Sequence, residues 1–192
     1  MARPRQFDAE VAVDRAMEVF WRKGYAATTP QDLVDALGIG KGSLYNAFGS
    51  KRELFERALR RYRDSQTVAL VESLEGPGPV KERLRSTLLA LVEMDLGDPD
   101  RRGCMAANTA TELAGVDEEA TELVRRMIDR TEGAFQALIE EGQRSGEIDP
   151  GRDAAALGSL LMNIAVGMRV LGRVAEGPER LLRVIDATID TL

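Results

Sequence analysis

The 192-residue chain contains no histidine and a single cysteine. Ser-His-Asp and Cys-His catalysis are thereby excluded, as are the common zinc sites and any internal disulfide framework. Strand-like alternation of apolar and polar residues is scarce, and the Asn-Gly and Asp-Gly pairs that close hairpins are missing. Glycine and proline fall instead at the ends of helix-period segments, so the chain reads as all-α. No apolar run approaches the length that spans a bilayer, and the amino terminus lacks an apolar core of the signal-peptide kind. Both absences predict a cytoplasmic protein without membrane contact.

What is present is a soluble composition, 44% hydrophobic and 30% charged, on a chain long enough for one or two domains with a real core. The many Asp and Glu residues fall mainly on predicted exposed helix faces. They carry no signature of a catalytic carboxylate pair, so no catalytic residue, metal or cofactor is assigned. The net charge of −6 hides an asymmetry. Residues 1–63 hold 12 Lys or Arg against 8 Asp or Glu, a balance of +4, and the remainder holds 14 against 24, or −10. One end suits a polyanion and the other repels it.

The most informative stretch runs from Thr28 to Phe55. Thr29 can cap a helix, Pro30 fits its first position, and Asp32 adds negative charge near the positive end of the dipole. Leu33, Val34 and Leu37 share one side of that helix, which should stop at Gly38. Gly38-Ile39-Gly40 is a tight connector, after which a second helix is expected from about Lys41 to Phe48. Leu44 and Phe48 lie one turn apart and point inward. Outward, Lys41, Gly42, Ser43, Tyr45 and Asn46 offer a cation, a close-approach position and three polar groups suited to phosphates and base edges. Ser50 with Glu53 reads as a capping box opening a further helix, with Lys51 and Arg52 exposed in its first turn. Two short helices with the second one presented form a helix-turn-helix.

Residues 7–55 resemble the DNA-binding domain of the TetR/AcrR-type transcriptional regulators: a helix ending F-W-R-K-G-Y, then T-T, L-G-I-G-K-G-S-L-Y-N-A-F and S-K-R-E-L-F. The resemblance implies a TetR-like fold of about nine helices: an N-terminal DNA-binding domain over residues 1–55, a linking helix four at about 51–74, and a ligand-binding and dimerisation domain over 75–192. It implies a homodimeric, ligand-responsive repressor of double-stranded operator DNA. Within the same class an activator is an alternative, and outside it a helical interaction module that binds no DNA. Lys41, Tyr45, Lys51 and Thr29 are expected mainly on phosphates and Ser43 and Asn46 on base edges, with Thr28, Gln31 and Gly42 completing the surface. Arg3 and Arg5 form either a frayed terminus or an arm that follows the minor groove.

Around this stretch, Asp8 should cap a first helix from Ala9 to Lys23, with Val13, Ala16, Met17 and Phe20 inward and Trp21 and Tyr25 in the same core. Helix four is expected as one rigid rod shared by two cores. Glu75-Gly-Pro-Gly-Pro79 breaks the chain before an apolar-faced helix that ends at Gly97-Asp98-Pro99. A helix from about Gly103 to Ala114 carries Cys104, Asn108 and Thr111 on one stripe. Cys104 follows Arg101 and Arg102 at a helix start, where cations and the dipole favour a thiolate. Arg-Gly-Cys at this place also looks like a feature of relatives that respond to oxidants or electrophiles. A small buried hydrophobe is the other reading.

A long helix follows Asp117 to about Ser145. The next, from about Arg152 to Val174, is apolar nearly all round, and a last one opens at Pro178. A helix with two apolar faces needs either more of its own chain or a second subunit. The last two helices, about 152–174 and 178–192, are therefore the expected dimer surface. The resemblance places an effector pocket within residues 80–175. Met94, Cys104, Met105, Asn108, Phe135, Met162 and Met168 are candidates for its lining, or ordinary core.

Overall fold

A computed structural model describes residues 8–192; Arg3 and Arg5 lie outside the described residues. The described part is all-α, as expected. Helix α1 (Ala9–Lys23) starts on the Asp8 carboxylate, which accepts from the Glu10 and Val11 amides at 2.9 and 3.4 Å. Helix α2 (Pro30–Leu37) carries a complete capping box. The Asp32 amide donates to the Thr29 hydroxyl at 3.2 Å and the Thr29 amide donates back to the Asp32 carboxylate at 2.8 Å. Helix α3 (Lys41–Phe48) follows the left-handed Gly38, and α4 (Lys51–Tyr62) follows Ser50. Only half of the box expected there forms: Ser50 Oγ accepts from the Glu53 amide at 3.1 Å, while the Ser50 amide donates to the Phe48 carbonyl.

Helix four departs from a uniform rod. Its backbone stays helical from Lys51 to Glu75, but residues Arg63–Thr67 form a π-helical turn between α4 and α5 (Val68–Glu75). Ser65 Oγ donates to the carbonyls of Arg61 and Tyr62 at 3.0 and 3.3 Å, competing with the regular backbone ladder at this point. Counted as one rod, α4 and α5 bring the described helices to the nine expected from the sequence. The others are α6 (Val80–Gly97), α7 (Met105–Leu113), α8 (Glu118–Ser145), α9 (Ala154–Gly172) and α10 (Glu179–Thr191). Cys104 is thus not inside a helix but caps one: its sulfur accepts from the Ala107 amide at 3.5 Å.

Two apolar clusters hold the chain. The first packs α1 to α4 around Phe20, Leu33, Phe48, Leu54 and Leu59, all at most 2% exposed. Edge-on ring contacts, Phe20 with Phe55 at 5.1 Å and Trp21 with Tyr62 at 5.0 Å, each add about 0.5–1.5 kcal/mol beyond burial. This cluster reaches further along the chain than the three-helix unit predicted from the sequence, taking in Met105, Ala106 and Leu113 of α7 and Leu123, Val124 and Met127 of α8. The second joins α5, α6, α8, α9 and α10 through Leu84, Leu88, Phe135, Ile139, Leu161 and Ile185.

Helix α9 corrects one sequence expectation. Its 19 residues, with mean hydropathy 1.6, are long and apolar enough to cross a membrane by length and composition alone. Its buried face nevertheless carries Arg169, 6% exposed, whose Nε lies 3.1 and 3.0 Å from the two carboxylate oxygens of Asp95 on α6. That face packs against α8 and α6 within the chain.

Candidate nucleic-acid interface and internal cavity

Leu44 and Phe48 anchor α3 at 2% and 1% exposure and so force the opposite face outward. Lys41, Gly42, Ser43, Tyr45 and Asn46 are all exposed, with Gln31 and Thr29 exposed beside them on α2 and its cap. A Cβ at Gly42 would meet nothing within 4 Å, leaving backbone free to approach another surface. Lys41 makes no ion pair among the described residues. Gln31 Nε2 donates to Asp35 at 2.7 Å, and Lys23 pairs with Asp32 at 2.6 Å. The Lys23 contact, aided by Thr29, holds the Asp32 carboxyl well below the usual range.

Two of the expected contact residues, Thr28 and Lys51, are spent internally. Thr28 is 1% exposed and its hydroxyl donates to the Gly24 carbonyl at 2.6 Å, so it closes the α1–α2 turn rather than facing outward. Lys51 Nζ donates to the carbonyls of Tyr25 and Thr28, each at 2.9 Å, and sits 4.3 Å from the Tyr25 ring centroid. Those carbonyls come together only in the folded turn, so nothing local to Lys51 signals the contact. Arg52, expected to be exposed in the first turn of α4, bridges Glu56 at 2.9 Å and Asp117 at 2.7 Å. The Thr29 hydroxyl is half committed, donating to Asp32 at 2.8 Å.

A cavity of about 210 Å³ lies between α4–α5, α6, α7, α8 and α9. Of the residues named from the sequence, Met94, Cys104 and Met162 line it. Met105, Phe135 and Met168 do not; they are fully packed, at 1%, 0% and 3% exposure, because they sit on the helix faces turned into the two cores. Asn108 also faces elsewhere, tying the preceding loop through Nδ2 to the Arg102 carbonyl at 2.9 Å and through Oδ1 from Arg173 at 3.2 Å. The sequence reading missed Tyr62, Gln66, Thr67, Leu91, Met127, Thr131 and Arg169 as lining. Threonines on otherwise apolar helix faces, Thr67, Thr87 and Thr131, were the available signal.

The cations expected at Cys104 are turned away from it. Arg102 binds Asp98 at 2.8 Å and Glu18, with its guanidinium 4.2 Å from the Trp21 ring centroid, and Arg101 donates to the Gly172 carbonyl at 3.3 Å. The sulfur instead accepts from the Tyr62 hydroxyl at 3.5 Å. Burial pushes the Tyr62 phenol far up, so it stays protonated and a donor. Among the described residues the guanidinium that lines the cavity is that of Arg169, neutralised by Asp95 at 2.9 Å. Burial pushes that carboxyl up against the opposing pull of Arg169. The space therefore suits an uncharged, mainly apolar guest.

Residues 12–58 match the family described as bacterial regulatory proteins, tetR family, and residues 80–188 match the tetracyclin repressor-like C-terminal domain. Over 194 aligned residues the chain is 33% identical to the uncharacterized HTH-type transcriptional regulator YezE of Bacillus subtilis, covering all of both chains. It is 29% identical to the HTH-type transcriptional repressor ComR of Escherichia coli, covering 97% of this chain and 90% of that one. Among solved structures it is similar to a cysteine mutant of the TetR family regulator CifR complexed with 26-base-pair operator DNA. The TM-score is 0.85 at 27% identity, with 98% of each chain covered. The exposed α3 surface and these matches agree: the chain belongs to the TetR family of DNA-binding transcriptional regulators and is not an enzyme.

Proposed function

We propose that the protein is a cytoplasmic, homodimeric repressor that leaves its operator when a small molecule enters the cavity. The observation that carries this reading is the outward face of α3, where Lys41, Ser43, Tyr45 and Asn46 stand exposed on a helix anchored by Leu44 and Phe48. Lys41 and Tyr45 bind phosphates and Ser43 and Asn46 read base edges in the major groove. Gly42 lets the backbone come close, and Thr29 and Gln31 flank the groove. Lys51 acts on DNA indirectly, by fixing the turn in front of α2.

Dimerisation uses α9 and α10. Leu160, Val170, Leu171 and Val174 are 44–78% exposed on or just beyond α9, and with Ile164 and Val184 they form an apolar face of the kind that pairs in a four-helix bundle. A two-fold dimer puts two α3 helices on half-sites about 34 Å apart or a multiple of that.

A cavity of about 150 Å³ holds benzene, so 210 Å³ admits a substituted ring or a molecule of similar bulk. With Cys104 in its wall, electrophiles such as quinones are suitable effectors: the Cys104 sulfur adds to the conjugated C=C, an S–C bond forms as the S–H bond and the ring π bond are lost, and the thiol proton and the displaced ring proton end on the two oxygens as a hydroquinone. The test is a gel shift of the protein on its own upstream region, with and without p-benzoquinone. Release of wild type but not of Cys104→Ser supports the electrophile. Equal release of both removes that chemistry while leaving the DNA reading intact, and no preference for the upstream fragment over random DNA removes the DNA reading.

A further inference from the structure

Most polar groups in the cavity wall are satisfied by the protein itself. The Tyr62 hydroxyl donates to Cys104, whose sulfur also accepts from the Ala107 amide. Ser73 on α5 and Thr87 on α6 bond to each other at 2.7 Å, and Thr131 donates to the Met127 carbonyl of its own helix at 3.0 Å. Arg169 is taken up by Asp95 and the Gly103 carbonyl. Two neighbouring groups remain. Among the described residues the Gln66 amide and the Thr67 hydroxyl make no hydrogen bond, although both residues line the cavity and Thr67 is only 8% exposed.

Buried polar groups are ordinarily paired, and one left over in a native fold calls for a partner that the chain does not supply. Gln66 offers an acceptor oxygen and two donor hydrogens, and Thr67 a donor with acceptor lone pairs. Both belong to the π-helical turn Arg63–Thr67. Consecutive side chains of a regular α-helix diverge by about 100°, whereas this wider turn lets two in succession reach one wall.

The wall also opens to solvent on one side. Of the described residues that line it, those exposed are Ala69 and Ser73 on α5 and Ala90 on α6. All three are small, and they flank the gap that the Ser73–Thr87 bond spans. Gln66 lies on the same stripe of the rod as Ala69 and Ser73, about 10 Å from the latter along the axis and so inside the opening.

We propose that the guest enters between α5 and α6, past Ala69, Ser73 and Ala90, and places one neutral hydrogen-bonding group on Gln66 and Thr67. The inference rests on the effector reading of the cavity above and narrows it: the guest is an apolar body with a hydroxyl or carbonyl end, neither a plain hydrocarbon nor an ion. An anion would find the Arg169 charge already matched by Asp95. A quinone carbonyl meets the description.

p-Cresol and p-xylene differ by a hydroxyl in place of a methyl group and share a shape, so the ratio of their dissociation constants isolates the hydrogen bond. By titration calorimetry of the full-length protein, Gln66→Leu shifts that ratio about fivefold against p-cresol, the worth of one net hydrogen bond. Thr67→Val, which keeps the side-chain shape, shifts it the same way and guards against a Gln66 variant that fails to fold. Binding of both compounds with a ratio unchanged in both variants overturns the anchor and leaves the effector reading standing. The entry route is read from the rate at which iodoacetamide alkylates Cys104, the single thiol, followed by intact mass. Ala90→Leu narrows the opening and slows alkylation about fivefold or more, while Ser86→Leu, exposed on α6 outside the cavity wall, does not. Equal rates in wild type and Ala90→Leu overturn the route. If neither compound binds at millimolar concentration, the effector reading falls together with this inference, and the gel shift still decides the DNA reading by itself.

Discussion

Lys51 and Glu112 hold one turn by its opposite polarities. Lys51 Nζ takes the carbonyls of Tyr25 and Thr28, and the Glu112 carboxylate takes the amides of Tyr25 and Ala26. Tyr25 is bound from both sides, by α4 and by α7. The segment before α2 therefore has little freedom of its own, although residues 24–29 contain no helix.

The roles of the two lysines separate experimentally. Lys51→Met should cost about 1–3 kcal/mol of stability by urea unfolding, since a cation bound to two carbonyls is lost, and should leave the salt slope of operator binding unchanged. Lys41→Ala should leave stability within about 0.5 kcal/mol and lower the salt slope by about 0.9 for each phosphate contact removed. Exchanged outcomes would return Lys51 to the DNA surface.

Ala165, 5% exposed in the cavity wall, provides a test of whether the space is open. Ala165→Val adds two carbons, and in an open apolar space this raises stability by about 1 kcal/mol, whereas a filled core would lose stability through overpacking. A higher melting temperature together with a weakened response to p-benzoquinone is expected.

Asp98 is a local source of acid sensitivity. Burial alone would raise its pKa, but hydrogen bonds from the Arg102 side chain and from the Arg102 and Asp100 amides, with the Arg102 charge, hold it below the ordinary value. Because the folded value lies below the unfolded one, the native state binds fewer protons between the two. The stabilisation is complete above the unfolded value, about pH 4, and is lost as pH falls through the folded value. Asp98→Asn should therefore melt earlier than wild type at pH 7, and the two melting curves should converge as pH falls below about 4.

Leu160 is 44% exposed at the middle of α9. Leu160→Arg places a charge on the apolar face and should yield a folded monomer by sedimentation, with operator affinity reduced at least about tenfold because one half-site contact is no longer tethered to the other. An unchanged dimer would move the interface away from α9.

The elements legible in the sequence were those with local causes. Asp8, Thr29-Pro30, Gly38 and Ser50 stop or start helices by contacts within four residues, and the α3 face follows from the spacing of Leu44 and Phe48. The charge asymmetry also needed no structure. The cavity was half legible because Met94 and Met162 differ from Met105 and Met168 only in which neighbour their helix face meets. The sharing of the Gly103 carbonyl by Trp21 and Arg169 joins residues 82 and 66 positions away, and no local pattern encodes it. The π turn at Arg63–Thr67 was hidden for a different reason: the apolar spacing on either side fits an unbroken helix.

The most direct test of the account is a nuclease footprint of the full-length protein on its own upstream region. The account predicts two protected half-sites with two-fold symmetry, their centres one helical turn or a multiple apart, weakened by Asn46→Ala and lost in wild type after treatment with p-benzoquinone. Protection spread evenly over the fragment, or binding no tighter than to random duplex at the same salt, would contradict it.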